Sequence, residues 1–348
     1  MSEYILSITD QSPMRRGGTA AEALRETIAA AQAAERFGYS RYWVAEHHNT
    51  GTHAGSSPEI LIGQILANTQ RIRVGSGGVM LSHYAPLKVA EQFRMLDAFY
   101  PGRVDLGIGR APGSDQLTAA ALSNPRPPID IERFPQMVAD LVGYLHDALQ
   151  PDHAFAKVKV APGPQPQTAP EVWLLGSSDY SAQLAAYLGL PFAFADFFGN
   201  TGKHGPAVAD VYRKHFRPSE LCPEPRLNVT VQVVCAPTTE EAQFIASSRN
   251  YNRARRMLEA QGAAHVEGLV PPEEAVAAEL NPQAKAFAEQ FVAGFHAGDP
   301  ATVKAELVET AERYDTKDIG IVTITYRLED RIRSLELLAK AFGLEGSG

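Results

Sequence analysis

Along this chain, short runs of apolar, β-branched and aromatic residues alternate with longer stretches of helical period. The runs at 4–10, 41–48, 72–81, 102–109, 171–176, 190–195, 227–236 and 318–325 predict strands. Helices are predicted over 19–38, 58–68, 86–99, 132–149, 179–188, 240–260 and 328–343. Gly38 and Gly343 act as C-terminal stops, and Pro58 sits in a first turn, where its missing N–H costs nothing. Short apolar strands separated by helices call for a parallel sheet covered on both faces. Eight such units fit a closed barrel better than an open sheet of five or six strands.

The expected fold class is therefore α/β, a (β/α)8 TIM barrel with insertions, as one domain over residues 1–348. Two stretches break the rhythm, 111–130 and 261–300, the second with a helical stretch at 282–294, and both read as insertions. The second is long enough to serve as a mobile lid over the barrel mouth. Residues 161–170, rich in proline, read as an extended connector.

Composition narrows the function classes. With 45% hydrophobic and 21% charged residues, the 348-residue chain reads as a soluble globular protein. A net charge of −8 without a Lys/Arg block argues against a nucleic-acid partner. No apolar stretch approaches the roughly 18 residues of a membrane span, and the first residues carry no charged leader with a long apolar run. Only Cys222 and Cys235 occur, neither in a metal-binding spacing, which suits a reducing, cytoplasmic setting.

The ends of the predicted strands carry the chemistry. They present Asp10, Glu46-His47-His48, Gly77-Gly78, Gly109-Arg110, Gly176-Ser177-Ser178, Asp196 and Tyr326. In a barrel of this kind, reactive groups collect at those ends. "EHHNTGTHAG" (46–55) admits a metal site, a packing role or acid–base work. Neighbouring side chains at a strand end point to opposite faces, so His47 and His48 would diverge, which weakens the metal reading. "LGIGRAPG" (106–113) has the wrong glycine spacing for a dinucleotide fingerprint. Arg110 is nonetheless a fixed cation at the barrel mouth. In "LLGSSDYSAQLAA" (174–186), Ser177, Ser178 and Ser181 stand at the start of a helix after a strand ending at Gly176. They are either ordinary helix caps or, with the free N–H groups of the first turn, a phosphate cradle. The glycine pair in "RIRVGSGGVMLSHYAP" (71–86) weakens a buried strand and implies a kink, a bulge or a close backbone approach.

These segments, together with "YPGRVDLGIGRAPGSD" and the closing "RIRSLELLAKAFGL", resemble the bacterial luciferase-like flavin monooxygenases, in particular the stand-alone luciferase-like oxidoreductases. The resemblance runs over essentially the whole chain. It implies FMN at the C-terminal mouth, with a cis Gly77–Gly78 bond beside the flavin ring. It makes His47 the acid–base residue, with Glu46 and His48 lining the site. It places Arg110, Gly176, Ser177, Ser178 and Ser181 around the flavin phosphate, although Ser177 stands where luciferase has a glutamate. Gly109 replaces luciferase's active-site cysteine, and no long-chain aldehyde pocket is recognisable, so light emission is not expected.

The activity the resemblance implies is oxygenation of a small organic substrate with dioxygen and reduced FMN delivered by a separate reductase. Alternatives are a deazaflavin- or flavin-dependent dehydrogenase and a flavin-binding protein with little catalysis. It also implies a homodimer through 58–69 and 86–99, which carry apolar residues on more than one face, among them Ile60, Leu61, Phe93 and Met95. Phe192, Phe194, Phe197 and Phe198 could line either a pocket or the core.

Overall fold

A computed structural model describes residues 2–111, 113–125, 131–163, 168–198, 200–260, 268–290 and 295–346. The first half alternates regularly: β1 (Ile5–Asp10), α1 (Ala20–Phe37), β2 (Arg41–Val44), α2 (Pro58–Ala67), β3 (Arg73–Met80), α3 (Pro86–Phe99) and β4 (Val104–Gly109). Then come α4 (Gln116–Ser123), α5 (Phe134–Leu145), β5 (Glu171–Gly176), α6 (Asp179–Leu188), β6 (Phe192–Ala195) and α7 (Gly205–His215). The last part holds β7 (Leu227–Cys235), α8 (Thr239–Ala260), α9 (Pro272–Ala277), α10 (Pro282–Gln290) and β8 (Phe295–Gly298). It closes with α11 (Pro300–Arg313), β9 (Asp318–Val322) and α12 (Leu328–Phe342).

Eight parallel strands close a barrel in the order β1 to β7, then β9, which returns to β1. This is the expected (β/α)8 TIM barrel. β8 lies outside the ring. Its residues pair with Gln232–Cys235, the far end of the nine-residue β7, which overlaps the stretch flanked by β9 only at Gln232. The strand is only Phe-His-Ala-Gly, too short and polar to show a period, so in sequence it merges into the 261–300 insertion. Residues 261–267 and 291–294 of that insertion lie outside the described residues. Its described part is tied down by backbone bonds from Leu269 to Met14 and Arg16. Glu274 and Glu273 of α9 also pair with Arg16 and Arg327.

Local rules explain the elements. α1 opens on a capping box, in which Thr19 accepts from the Glu22 N–H while Glu22 accepts from the Thr19 N–H. It ends at Gly38, whose φ of +88° only glycine adopts without strain. α7, which the strand–helix rhythm demands after β6, grows from "GPAVADVYRKH", with Val208, Ala209 and Tyr212 facing inward. The strand read as 41–48 pairs only to Val44, so 45–48 form a loop and strand alternation does not govern His47 and His48.

The lower barrel is plugged. Arg41 pairs with Asp318, Arg73 with Asp105, and Arg226 with Glu171. Above them Trp43 and Trp173 meet edge to face at 5.4 Å, and the Trp43 indole donates to Asp105 at 2.8 Å. Arg41 and Asp105 are buried, and each keeps its charge by holding a partner of opposite sign. The plug leaves the upper, C-terminal end of the barrel as the place where space remains.

Candidate functional site

Two cavities open at that end. The smaller, about 410 Å³, is walled by Gly77, Gly78, Gly109, Arg110 and the Gly176–Ser178 turn, with Thr9, Trp43 and Thr230 from the barrel interior. The larger, about 560 Å³, is lined by His47, His48 and His53, by Asp115, and by Arg249, Asn252 and Arg253 of α8. Phe198 borders both, so the two chambers meet at its ring. Both volumes suit small molecules.

The glycines set the shape of the smaller cavity. The Gly77–Gly78 peptide bond is cis, and the β3–β4 register shifts between Ser76 and Val79. A Cβ on Gly78 would stand 2.6 Å from the Gly107 carbonyl oxygen, a backbone atom that cannot swing away. On Gly77 it would press on Thr9 and Trp43 at 3.1 Å. Gly176 is closed to any side chain, since the Ser181 hydroxyl would lie 2.3 Å from its Cβ. Ser181 is thereby packed down over the turn and buried. Ser178 is the N-cap residue of α6, yet its side chain makes no capping hydrogen bond. Arg110 lies across the Tyr180 ring, 4.2 Å from its centroid, at the edge of the same chamber.

Glu46 stands behind the cavity walls, whereas His48 lines the larger cavity. Glu46 lines neither cavity. It is fully buried and accepts three hydrogen bonds: from the Met80 N–H at 2.9 Å, the Tyr84 hydroxyl at 2.7 Å and His48 Nε2 at 2.7 Å. A carboxylate only accepts, so this contact selects the His48 tautomer with hydrogen on Nε2. Burial and the neighbouring carboxylate push the Tyr84 phenol far above its ordinary value, which keeps it a donor. One side chain thus fixes His48, the exit of β3 and the loop after it. His48 faces the larger cavity, as does His47, and the two do not diverge. His47 stacks on His53 with centroids 4.6 Å apart. Among the described residues no three His, Cys, Asp or Glu side chains gather so as to hold a metal ion.

Other strand-end residues hold structure. Asp10 binds Tyr42, Ser12 N–H and Arg331, and Asp196 accepts from Tyr314 at 2.9 Å. Tyr326 lines neither cavity. Phe192 and Phe194 are core, whereas Phe197 and Phe198 form cavity wall. The sequence reading missed His53, although it lies within the quoted histidine motif. It also missed Arg249, Asn252 and Arg253, whose i, i+3, i+4 spacing was the only available signal.

Comparison with known proteins bears on this geometry. The family model of luciferase-like monooxygenases matches residues 2–317. The protein YwcH of Bacillus subtilis (strain 168) is 43% identical over 338 residues, covering 97% of this chain and 98% of that one. The N-acetyl-S-alkylcysteine monooxygenase of the same organism is 35% identical, with 97% of each chain covered. Among solved structures, apo-MsnO8 superposes with a TM-score of 0.88 at 39% identity, over 99% of this chain and 100% of that chain. More distant structures share the fold alone. They include the FMN-bound oxygenating constituent of 3,6-diketocamphane monooxygenase (TM-score 0.69, 21% identity, 98% of each chain). An F420-dependent secondary alcohol dehydrogenase also falls in this group (0.68, 14%, covering 98% of this chain and 99% of that one).

Proposed function

The chain belongs to the luciferase-like monooxygenase family and is an oxygen-incorporating oxidoreductase; from that premise we propose that it binds FMN in the smaller cavity and oxygenates a small organic substrate in the larger one. Reduced FMN comes from a separate reductase, and dioxygen is the second substrate.

The observation that carries the reading is the pairing, across one chamber, of a side-chain-free glycine wall with an uncommitted Ser178 hydroxyl and Arg110. The wall lets a planar ring approach the backbone. The serine, the arginine and the first-turn N–H groups of α6 suit a phosphate. Ser177 and the buried Ser181 complete that turn, and Gly176 gives it room. When bound and reduced, FMN supplies the electrons that activate dioxygen.

The chain's own part is placement, shielding and proton transfer. His47, stacked on His53 and facing the larger cavity, is assigned the proton, because imidazole changes charge near neutral pH. His48 is held by Glu46 and orients the same wall. Phe197 and Phe198 shield the junction between the cavities from water.

The whole chain is taken as one barrel domain, with 111–130 and 261–300 as insertions. A homodimer belongs to the proposal, supported by Ile60, Met95 and Phe99, which stand on α2 and α3 with 66%, 52% and 72% exposure. So does a cytoplasmic setting, which the two free, buried cysteines suit.

The test is oxygen uptake with reduced FMN over a panel of small organic sulfides and ketones that includes N-acetyl-S-alkylcysteines. Substrate-dependent uptake with an oxygenated product is expected. Anaerobic turnover with a deazaflavin instead would replace the oxygenase by a dehydrogenase. Flavin binding without any stimulated uptake would leave a binding protein.

A further inference from the structure

Arg249 is a buried charge at the wall of the larger cavity. It sits on α8, is only 3% exposed and lines the larger cavity. Its Nη1 donates to Asn250 Oδ1 at 2.8 Å, and the Phe295 ring of β8 covers one face of the guanidinium, 4.6 Å from Cζ. Nε and Nη2 have no hydrogen-bond partner among the described residues. Those two atoms form the side-on fork of a guanidinium, two parallel N–H donors spaced to meet both oxygens of a carboxylate. No described carboxylate forms an ion pair with this residue. Asp115, the acidic residue of the same cavity, is already engaged by the Thr118 N–H, the Thr118 hydroxyl and Asn49. Asn252 and Arg253 present further donors from the same helix face, at i+3 and i+4. Burial and the adjacent Arg253 push the Arg249 guanidinium well below its ordinary value, the signature of a cation short of a counter-charge.

We infer that the Nε/Nη2 fork of Arg249, flanked by Asn252 and Arg253, seats a carboxylate of the substrate, so the molecule oxygenated here is a small organic acid. The inference deepens the reading above and rests on the larger cavity being the substrate chamber. The acid group is anchored at α8, and the body of the substrate extends past the His47–His53 stack towards Phe198, where the cavities meet. A neutral analogue of the same shape leaves the fork unmatched in a buried setting, which makes the discrimination steep.

The experiment is calorimetric binding to the full-length protein, apo and FMN-loaded. The probes are N-acetyl-S-methylcysteine, N-acetyl-S-benzylcysteine, hexanoate and benzoate, each against its primary amide, with hexanesulfonate alongside. At least one acid is expected to bind about 100-fold more tightly than its amide. Arg249→Met should erase that difference, chiefly by weakening acid binding. Arg249→Lys, which keeps the charge and loses the fork, should cost the acid about tenfold, and it serves if the methionine variant does not fold. The apo Tm of Arg249→Met should equal or exceed that of the parent, because an uncompensated buried cation is gone.

Equal affinity for acids and amides overturns the proposal, as does acid binding that survives Arg249→Met. A lowered Tm with unchanged acid binding assigns Arg249 to packing alone. Tighter binding of hexanesulfonate than of hexanoate overturns the choice of carboxylate. Failure of FMN to bind strikes the cofactor assignment only, since the acid–amide comparison on the apo chain still decides this one.

Discussion

Replacing Glu46 by glutamine tests whether this buried carboxylate organises the mouth of the barrel. The side chain is fully enclosed and accepts from Met80 N–H, Tyr84 hydroxyl and His48 Nε2. Glutamine has nearly the same shape, so the change isolates charge and acceptor number. His48 and Tyr84 share Oε1, while the Met80 N–H uses Oε2. With the amide oxygen kept on the shared side, an NH2 group is driven against the Met80 N–H, and a buried donor loses its acceptor at about 1–3 kcal/mol. The two remaining bonds lose their charge assistance, together about 1–2 kcal/mol. A total near 3 kcal/mol corresponds to a Tm fall of about 4 °C for a chain of 348 residues. Thermal unfolding followed by near-UV circular dichroism reads it. Tyr84→Phe, which removes one donor and leaves the carboxylate, should cost about half as much. A Glu46→Gln protein melting within about 1 °C of the parent would refute the hub.

Three further outcomes are expected. His47→Ala should keep FMN affinity, since its ring faces the larger cavity, and slow substrate oxygenation at least about 100-fold; unchanged turnover removes it from the mechanism. Met95→Glu combined with Phe99→Glu should halve the mass measured by sedimentation equilibrium, and an unaltered mass rejects α2 and α3 as the dimer surface. The Asp115 and Asp299 carboxylates, each capping a helix, are held at about 2 by N–H and hydroxyl donors, below the ordinary 3.8. A lowered folded value means that their contribution is complete above the ordinary value and lost as pH falls towards about 2. Acid titration of α4 and α11 by hydrogen exchange should show fraying only below about pH 4.

Much of the fold was legible because buried parallel strands are short apolar runs and helices stop at glycines. Gly38, Gly189 and Gly343 all cap helices in the left-handed region. β8 was hidden because a four-residue edge strand gains its identity from pairing with β7, a tertiary fact. The glycine wall could be read because a glycine pair in a buried strand has no packing advantage, so only close approach explains it. The divergence expected of His47 and His48 failed because it assumed a strand running to residue 48, whereas the strand ends at Val44 and both face one cavity. Arg249 was invisible because "SSRNYNRARRM" reads as a solvated helix face. The packing of β8, α9 and α10 against α8 puts that residue inside.

The account stands most directly on the phosphate seat at the head of α6. Titration of the apo protein with FMN and with riboflavin, at one ionic strength, measures what that seat contributes. FMN should bind about 100-fold more tightly, close to 2.7 kcal/mol, and the difference should shrink in Ser178→Ala and Arg110→Met. Equal affinity for the two flavins would contradict the account.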